Sequence, residues 1–249
     1  MKSAPGTTEK TTSSLQPLMN YNLMADLFMY PEHEDYKKKV KALHAYLLNE
    51  HTESAEALKN FVEFTEASSI VEIQELFLRS FDIQAITTLD IGFILFGEDY
   101  KRGKLLVHLN EEHNKAGNTC ETELSDHLPN LLRLIYKMPD EIMRNEIATL
   151  LVLPAVVKMI SEFSVEKIEK KDEVYKKHQK VILDYSQNYR TAYQSCLQAL
   201  FLVLKKDFGY ECTPEAENKT NAQADPNHHE NTSIKDFSLN IETEMLTEK

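Results

Sequence analysis

Three short stretches gather charged side chains where they can meet a partner. Phe81-Asp82 closes an apolar-periodic run, Gly97-Glu98-Asp99-Tyr100-Lys101-Arg102-Gly103 packs four charges between two glycines, and Glu123-Leu124-Ser125-Asp126-His127-Leu128-Pro129 follows. The carboxylates of Asp82, Glu98, Asp99 and Asp126 can form an acidic rim that receives cationic groups. Arg102 adds a cation and His127 a titratable imidazole. Exposed ion pairs contribute about 1 kcal/mol or less each, so such a rim sets specificity and association rate. Affinity would come from apolar side chains entering a groove.

Each of these residues also has an ordinary role open to it. Asp126 suits a helix N-cap. Arg102 can pair internally with Asp82 or Asp99 and brace the glycine-flanked turn. Glu98 and Asp99 suit the positive end of a following helix. His127 can be a plain hydrogen-bonded histidine. Gly97 and Gly103 read as structural turns, and Pro129 fits a helical first turn.

Catalytic patterns are missing. No phosphate-binding loop, dinucleotide fingerprint, nucleophile elbow or HExxH pair occurs. His108 and His113 are five apart and fall on different helical faces, which argues against a shared metal. His228-His229 lies in a polar tail. Cys120, Cys196 and Cys212 form no CxxC pair and lack an evidently electropositive setting; Cys120 falls in an expected loop. The chain therefore reads as a non-enzymatic binding protein without cofactor or metal.

Helices must position these stretches. Gly totals only 6 and Pro 8 in 249 residues, few for a sheet protein of this size. A first helix is expected from about residue 17, stopped by Pro31, with Leu23, Leu27 and Tyr30 on one face and Phe28 beside them. A second over 35–49 carries the stripe Tyr36, Val40, Leu43, Leu47. A third spans 54–67 with Leu58, Phe61 and Val62 inward. Ser69 and Glu72 form a capping-box pattern before Ile73, Leu76 and Phe77. Thr87 or Thr88 would cap a helix holding Leu89, Phe93, Ile94 and Phe96, broken at Gly97. The next runs from about Asp99 to Gly117, burying Leu105, Leu109 and Ala116. Asp126 would start another, and Pro139 opens a stretch to Phe163 kinked or broken at Pro154. The last pattern, residues 173–207, sets Ile182, Tyr185, Tyr189, Tyr193, Cys196, Leu200 and Val203 three or four apart, with the tyrosines as a core-to-rim stripe. Residues 167–180 read as a solvated charged face, and Gly209 ends the pattern.

This gives an all-α, single-domain, bundle-like fold over 17–210, between a disordered N-terminal segment, 1–16, and a disordered acidic tail, 211–249. The tail holds nine carboxylates and three lysines, half of the net charge of −12. In it only Ile234, Phe237, Leu239 and Ile241 alternate loosely enough to dock. An acidic body disfavours nucleic acid and suits a basic protein or peptide. No apolar run is long enough for membrane insertion and no signal core appears, so a reducing cytoplasmic setting is expected.

The three charged stretches, in this order, resemble the NarJ/TorD family of molybdoenzyme assembly chaperones, which includes nitrate reductase delta subunits. That family shares a Phe-Asp at a helix end, a Gly-acidic-x-x-Arg-Gly turn and an acidic-Leu-Pro-Asp-His-Leu-Pro segment. Leu27 to Pro31 also looks like its N-terminal Leu-x-x-Tyr-Pro. The resemblance covers about residues 18–205. Ser125 departs from it, standing where the family usually has Pro, and the tail has no counterpart.

The resemblance implies a TorD/NarJ-type helical bundle without chemistry of its own. It would bind the basic, amphipathic N-terminal segment of the catalytic subunit of a molybdopterin oxidoreductase, of nitrate reductase or nitrite oxidoreductase type. It would hold the apo-enzyme until cofactor insertion and block premature export or membrane docking. The partner-binding set would be Asp82, Glu98, Asp99, Arg102, Asp126 and His127. An alternative built on the same fold is a permanent structural or assembly subunit of such a complex, for which the tail and Ser125 speak. Self-association is left open.

Overall fold

The stripe of α2 (Asp35–Glu50) meets an equally apolar face of α3 (Thr52–Ala67), and between them they seed the core. Tyr36, Val40, Leu43 and Leu47 are buried at the spacing read from the sequence. Leu58, Phe61 and Val62 face them from α3. A computed structural model describes residues 18–171 and 191–209 of the chain. Among these residues helices dominate and no strand occurs; an isolated antiparallel bridge joins Asp90 to His127.

The N-terminal helix is shorter than its pattern. α1 (Met19–Ala25) passes into a single 3₁₀ turn at Asp26–Phe28, and the chain is extended by Met29. Its core face is Tyr21, Met24, Ala25, Leu27 and Phe28, rather than the expected Leu23–Leu27–Tyr30 line. Tyr30 stays 41% exposed and sets its ring edge-on against Phe77. Pro31 disfavours helical backbone at Tyr30.

α4 (Ile70–Phe81) opens with the reciprocal box. The Ser69 N–H donates to Glu72 Oε2 at 2.7 Å, and the Glu72 N–H donates to Ser69 Oγ at 3.4 Å. Its buried face ends in Phe77 and Phe81. Both pack on Tyr193 of α11 (Ala192–Phe208), with ring centroids 5.8 and 4.9 Å away, and Phe61 approaches the same ring to 4.8 Å. Tyr193 is fully buried, not at a wet rim. The Tyr36 hydroxyl donates to the Leu27 carbonyl at 2.7 Å, so Tyr193 donates to the Tyr36 oxygen at 3.2 Å. Burial pushes both phenols well above their ordinary titration range. Cys196, Leu200 and Val203 continue the buried line. The rest of that expected stripe, Ile182, Tyr185 and Tyr189, lies outside the described residues, as do the expected disordered segments.

Pro154 neither breaks nor ends its helix. α8 (Glu141–Glu146), capped by Asp140, runs through a π-helical stretch at Ile147–Val152 into α9 (Leu153–Glu162). Proline lacks the N–H that an α-turn would use there, and wider winding over the preceding turn accommodates the loss. A further helix, α10 (Val165–Lys171), leaves at 70°. Among the described residues no single helix is long and apolar enough to cross a membrane. α11 ends at Gly209, whose φ of +65° is the left-handed cap conformation that glycine adopts at low cost.

Candidate functional site

Two of the three charged stretches come together at the entries of three helices: α5 (Ile91–Phe96), α6 (Tyr100–Lys115) and α7 (Leu128–Lys137). Two backbone bonds zip the entries of α5 and α7 together. The Ile91 N–H donates to the Asp126 carbonyl at 3.0 Å, and the Leu128 N–H to the Leu89 carbonyl at 2.9 Å. α5 thus begins later than Thr87 or Thr88 would set it, with Asp90 as the preceding residue. Leu89 is a buried loop residue.

Arg102, in the first turn of α6, bolts this junction. Its Nε donates to Asp126 Oδ2 at 2.9 Å and one terminal nitrogen to Asp90 Oδ2 at 2.9 Å. The neighbouring Gly92 N–H also donates to Asp126 Oδ2, at 3.1 Å. His127 Nδ1 lies 3.1 Å from Asp90 Oδ1. The His127 hydrogen bond, opposed by burial and reinforced by Arg102, holds the Asp90 carboxyl below its usual range. The guanidinium also stands 5.6 Å over the Phe93 ring.

Several expected roles change in this arrangement. Asp126 is fully buried, so it cannot be part of a rim, and it is not the N-cap of α7, which is His127 without a side-chain cap bond. Arg102 pairs with Asp126 and Asp90, not with Asp82 or Asp99. Asp82 ends α4, exposed and outside the network. Gly103 is not a turn: it is the fourth residue of α6 and lacks the positive φ that Gly97 shows at +65°. Pro129 sits in the first turn of α7.

Glu98 and Asp99 remain at the surface. Asp99 Oδ1 accepts from the Lys101 N–H at 2.9 Å and so caps α6. Tyr100 beside them is 66% exposed and Phe93 41%. The elbow between α5 and α6 therefore exposes two carboxylates and two aromatic side chains above a braced base, with Lys104 Nζ standing 5.3 Å over the Tyr100 ring.

A second polar set fixes the segment carrying Asp126. His113 Nε2 donates to the Ser125 carbonyl at 3.0 Å and its Nδ1 accepts from the Asn118 amide at 2.9 Å, the tautomer these partners require. Burial pushes the His113 pKa below the ordinary histidine value. The Ser125 hydroxyl donates to the Leu106 carbonyl at 3.2 Å. A serine where the resembled family has proline therefore ties this segment to α6.

Asp90 and Gly92 escaped the sequence reading. A Cβ on Gly92 would lie 2.6 Å from Asp126 Oδ2. The one signal was their position, Asp-Ile-Gly at the start of an apolar helix. Burial raises the Cys120 thiol and, far more, the Cys196 thiol, so neither is an activated nucleophile. Among the described residues no group of three or more His, Cys, Asp or Glu is placed to hold a metal ion. No family model matches this chain, and no curated protein matches it.

Proposed function

We propose that the chain is a non-catalytic binding protein of the NarJ/TorD chaperone type. It receives the basic N-terminal segment of a molybdopterin oxidoreductase catalytic subunit and assists cofactor insertion and assembly. One juxtaposition supports this reading. Arg102 joins residues 97–103 to residues 123–129, while Glu98, Asp99, Phe93 and Tyr100 stay exposed on the α5–α6 elbow. Carboxylates beside aromatic rings suit a cationic, apolar segment: the charges steer it and the rings offer area. Arg102, Asp126, Asp90 and His127 hold the surface in shape; Glu98 and Asp99 meet the partner.

Calorimetric titration with a synthetic peptide of such an N-terminal segment tests this. The double variant Glu98→Lys with Asp99→Ser keeps a capping side chain on α6 and should weaken binding about tenfold or more, since two favourable pairs are lost and one repulsion is added. Unchanged affinity, or no binding by the unaltered protein, would overturn the reading.

A further inference from the structure

We infer that His51 and Asp207 form an acid-sensitive clasp, closed while His51 is neutral, which fastens α1 to the last turn of α11 and opens when His51 takes up a proton. His51 joins α2 to α3 and is 8% exposed. Its Nε2 lies 3.6 Å from Asp207 Oδ1. The other oxygen of that carboxylate accepts from the Tyr21 hydroxyl at 2.8 Å and the Asn20 amide at 3.2 Å, both fully buried on α1. A single carboxylate thus gathers α1, the α2–α3 junction and the end of α11. Lys206 adds a parallel tie, donating to the Glu50 carbonyl at 2.6 Å.

The geometry decides which protonation state the clasp tolerates. With Nε2–H turned to Asp207, the buried Nδ1 is an acceptor that lacks a partner among the described residues. Protonation makes it a charged donor, still without an acceptor, and an unmatched buried charged donor costs more than a neutral acceptor. The new charge would sit at both the negative C-terminal end of α2 and the positive N-terminal end of α3, so the two helix ends oppose each other. Asp207 attracts it, but at 3.6 Å there is no full hydrogen bond.

Other charged and titratable groups act on the cluster from several elements. Glu50 of α2 favours the imidazolium and Lys206 of α11 opposes it, while Arg144 of α8 and Tyr46 of α2 act on its Tyr21 and Asp207 members. Burial outweighs the attraction of Asp207 and holds His51 below its ordinary pKa. The folded state then resists protonation, and the closed clasp loses stability as pH falls below the ordinary histidine value. α1 follows residue 17 and α11 precedes residue 210, so opening acts where both terminal segments join the body.

Hydrogen exchange of the full chain between pH 7.5 and 5.0, corrected for intrinsic rates, tests the clasp. Peptides covering residues 18–28 and 200–209 should lose at least tenfold more protection on acidification than those of α7. His51→Gln should abolish that difference. Asp207→Ala, which removes the acceptor shared by Tyr21 and Asn20, should show the loss already at pH 7.5. Acid loss in step with α7, an unchanged acid response in His51→Gln, or full protection of Asp207→Ala at pH 7.5 would each overturn the inference.

Discussion

The base and the tip of the α5–α6 elbow draw on one charged stretch yet do opposite things. At the base, Asp126 is fully buried and both its oxygens are engaged, by Arg102 and the Gly92 N–H. At the tip, Glu98 is exposed and Asp99 only caps its own helix. Glu98 and Arg102 are four positions apart. Charge density in a sequence therefore does not mark a binding surface; what matters is which charges the fold has already matched. A matched, buried pair is costly to break, whereas an exposed charge is cheap to change.

That contrast can be broken most forcefully at Arg102. Arg102→Ala leaves the buried Asp126 carboxylate without its cation and should cost about 3–5 kcal/mol in urea unfolding. A loss below about 1 kcal/mol would mean that the base is not braced as described. Gly92→Ala drives a methyl against Asp126 Oδ2 and should cost about 1–3 kcal/mol by the same measurement, despite the usual gain from Gly→Ala in a helix.

Acid probes the base from the side of His113. Its folded-state pKa is depressed by burial, so below about pH 6.5 the unfolded chain binds protons that the folded chain refuses. Stability should hold above that value and decline as pH falls from it towards the depressed folded value. His113→Gln should flatten this slope in denaturation curves taken at stepped pH; an unaltered slope would remove His113 from the account. The smallest stability effect belongs to the tip: Glu98→Lys should shift unfolding by less than about 0.5 kcal/mol.

Much of the helical plan was legible because periodicity and caps are local. The α2 stripe, the Ser69–Glu72 box and the Gly209 stop each depend on residues within a few positions. The π winding was not legible, since Pro154 signals only a lost hydrogen bond and not how neighbouring turns absorb it. The site was half legible. The charged turns were seen, but Asp90 and Gly92 matter through contacts with Arg102 and Asp126, 12 and 34 residues along the chain. Asp126 looked like an N-cap because it precedes a helix; the long-range demand of Arg102 and the Gly92 N–H took its side chain instead.

Amide chemical-shift mapping with the synthetic N-terminal segment tests the division between base and tip most directly. The account predicts perturbations at Phe93 and at residues 98–101, with the amides of Gly92 and Asp126 left in place. Shifts centred on Gly92 and Asp126, with residues 98–101 silent, would contradict it.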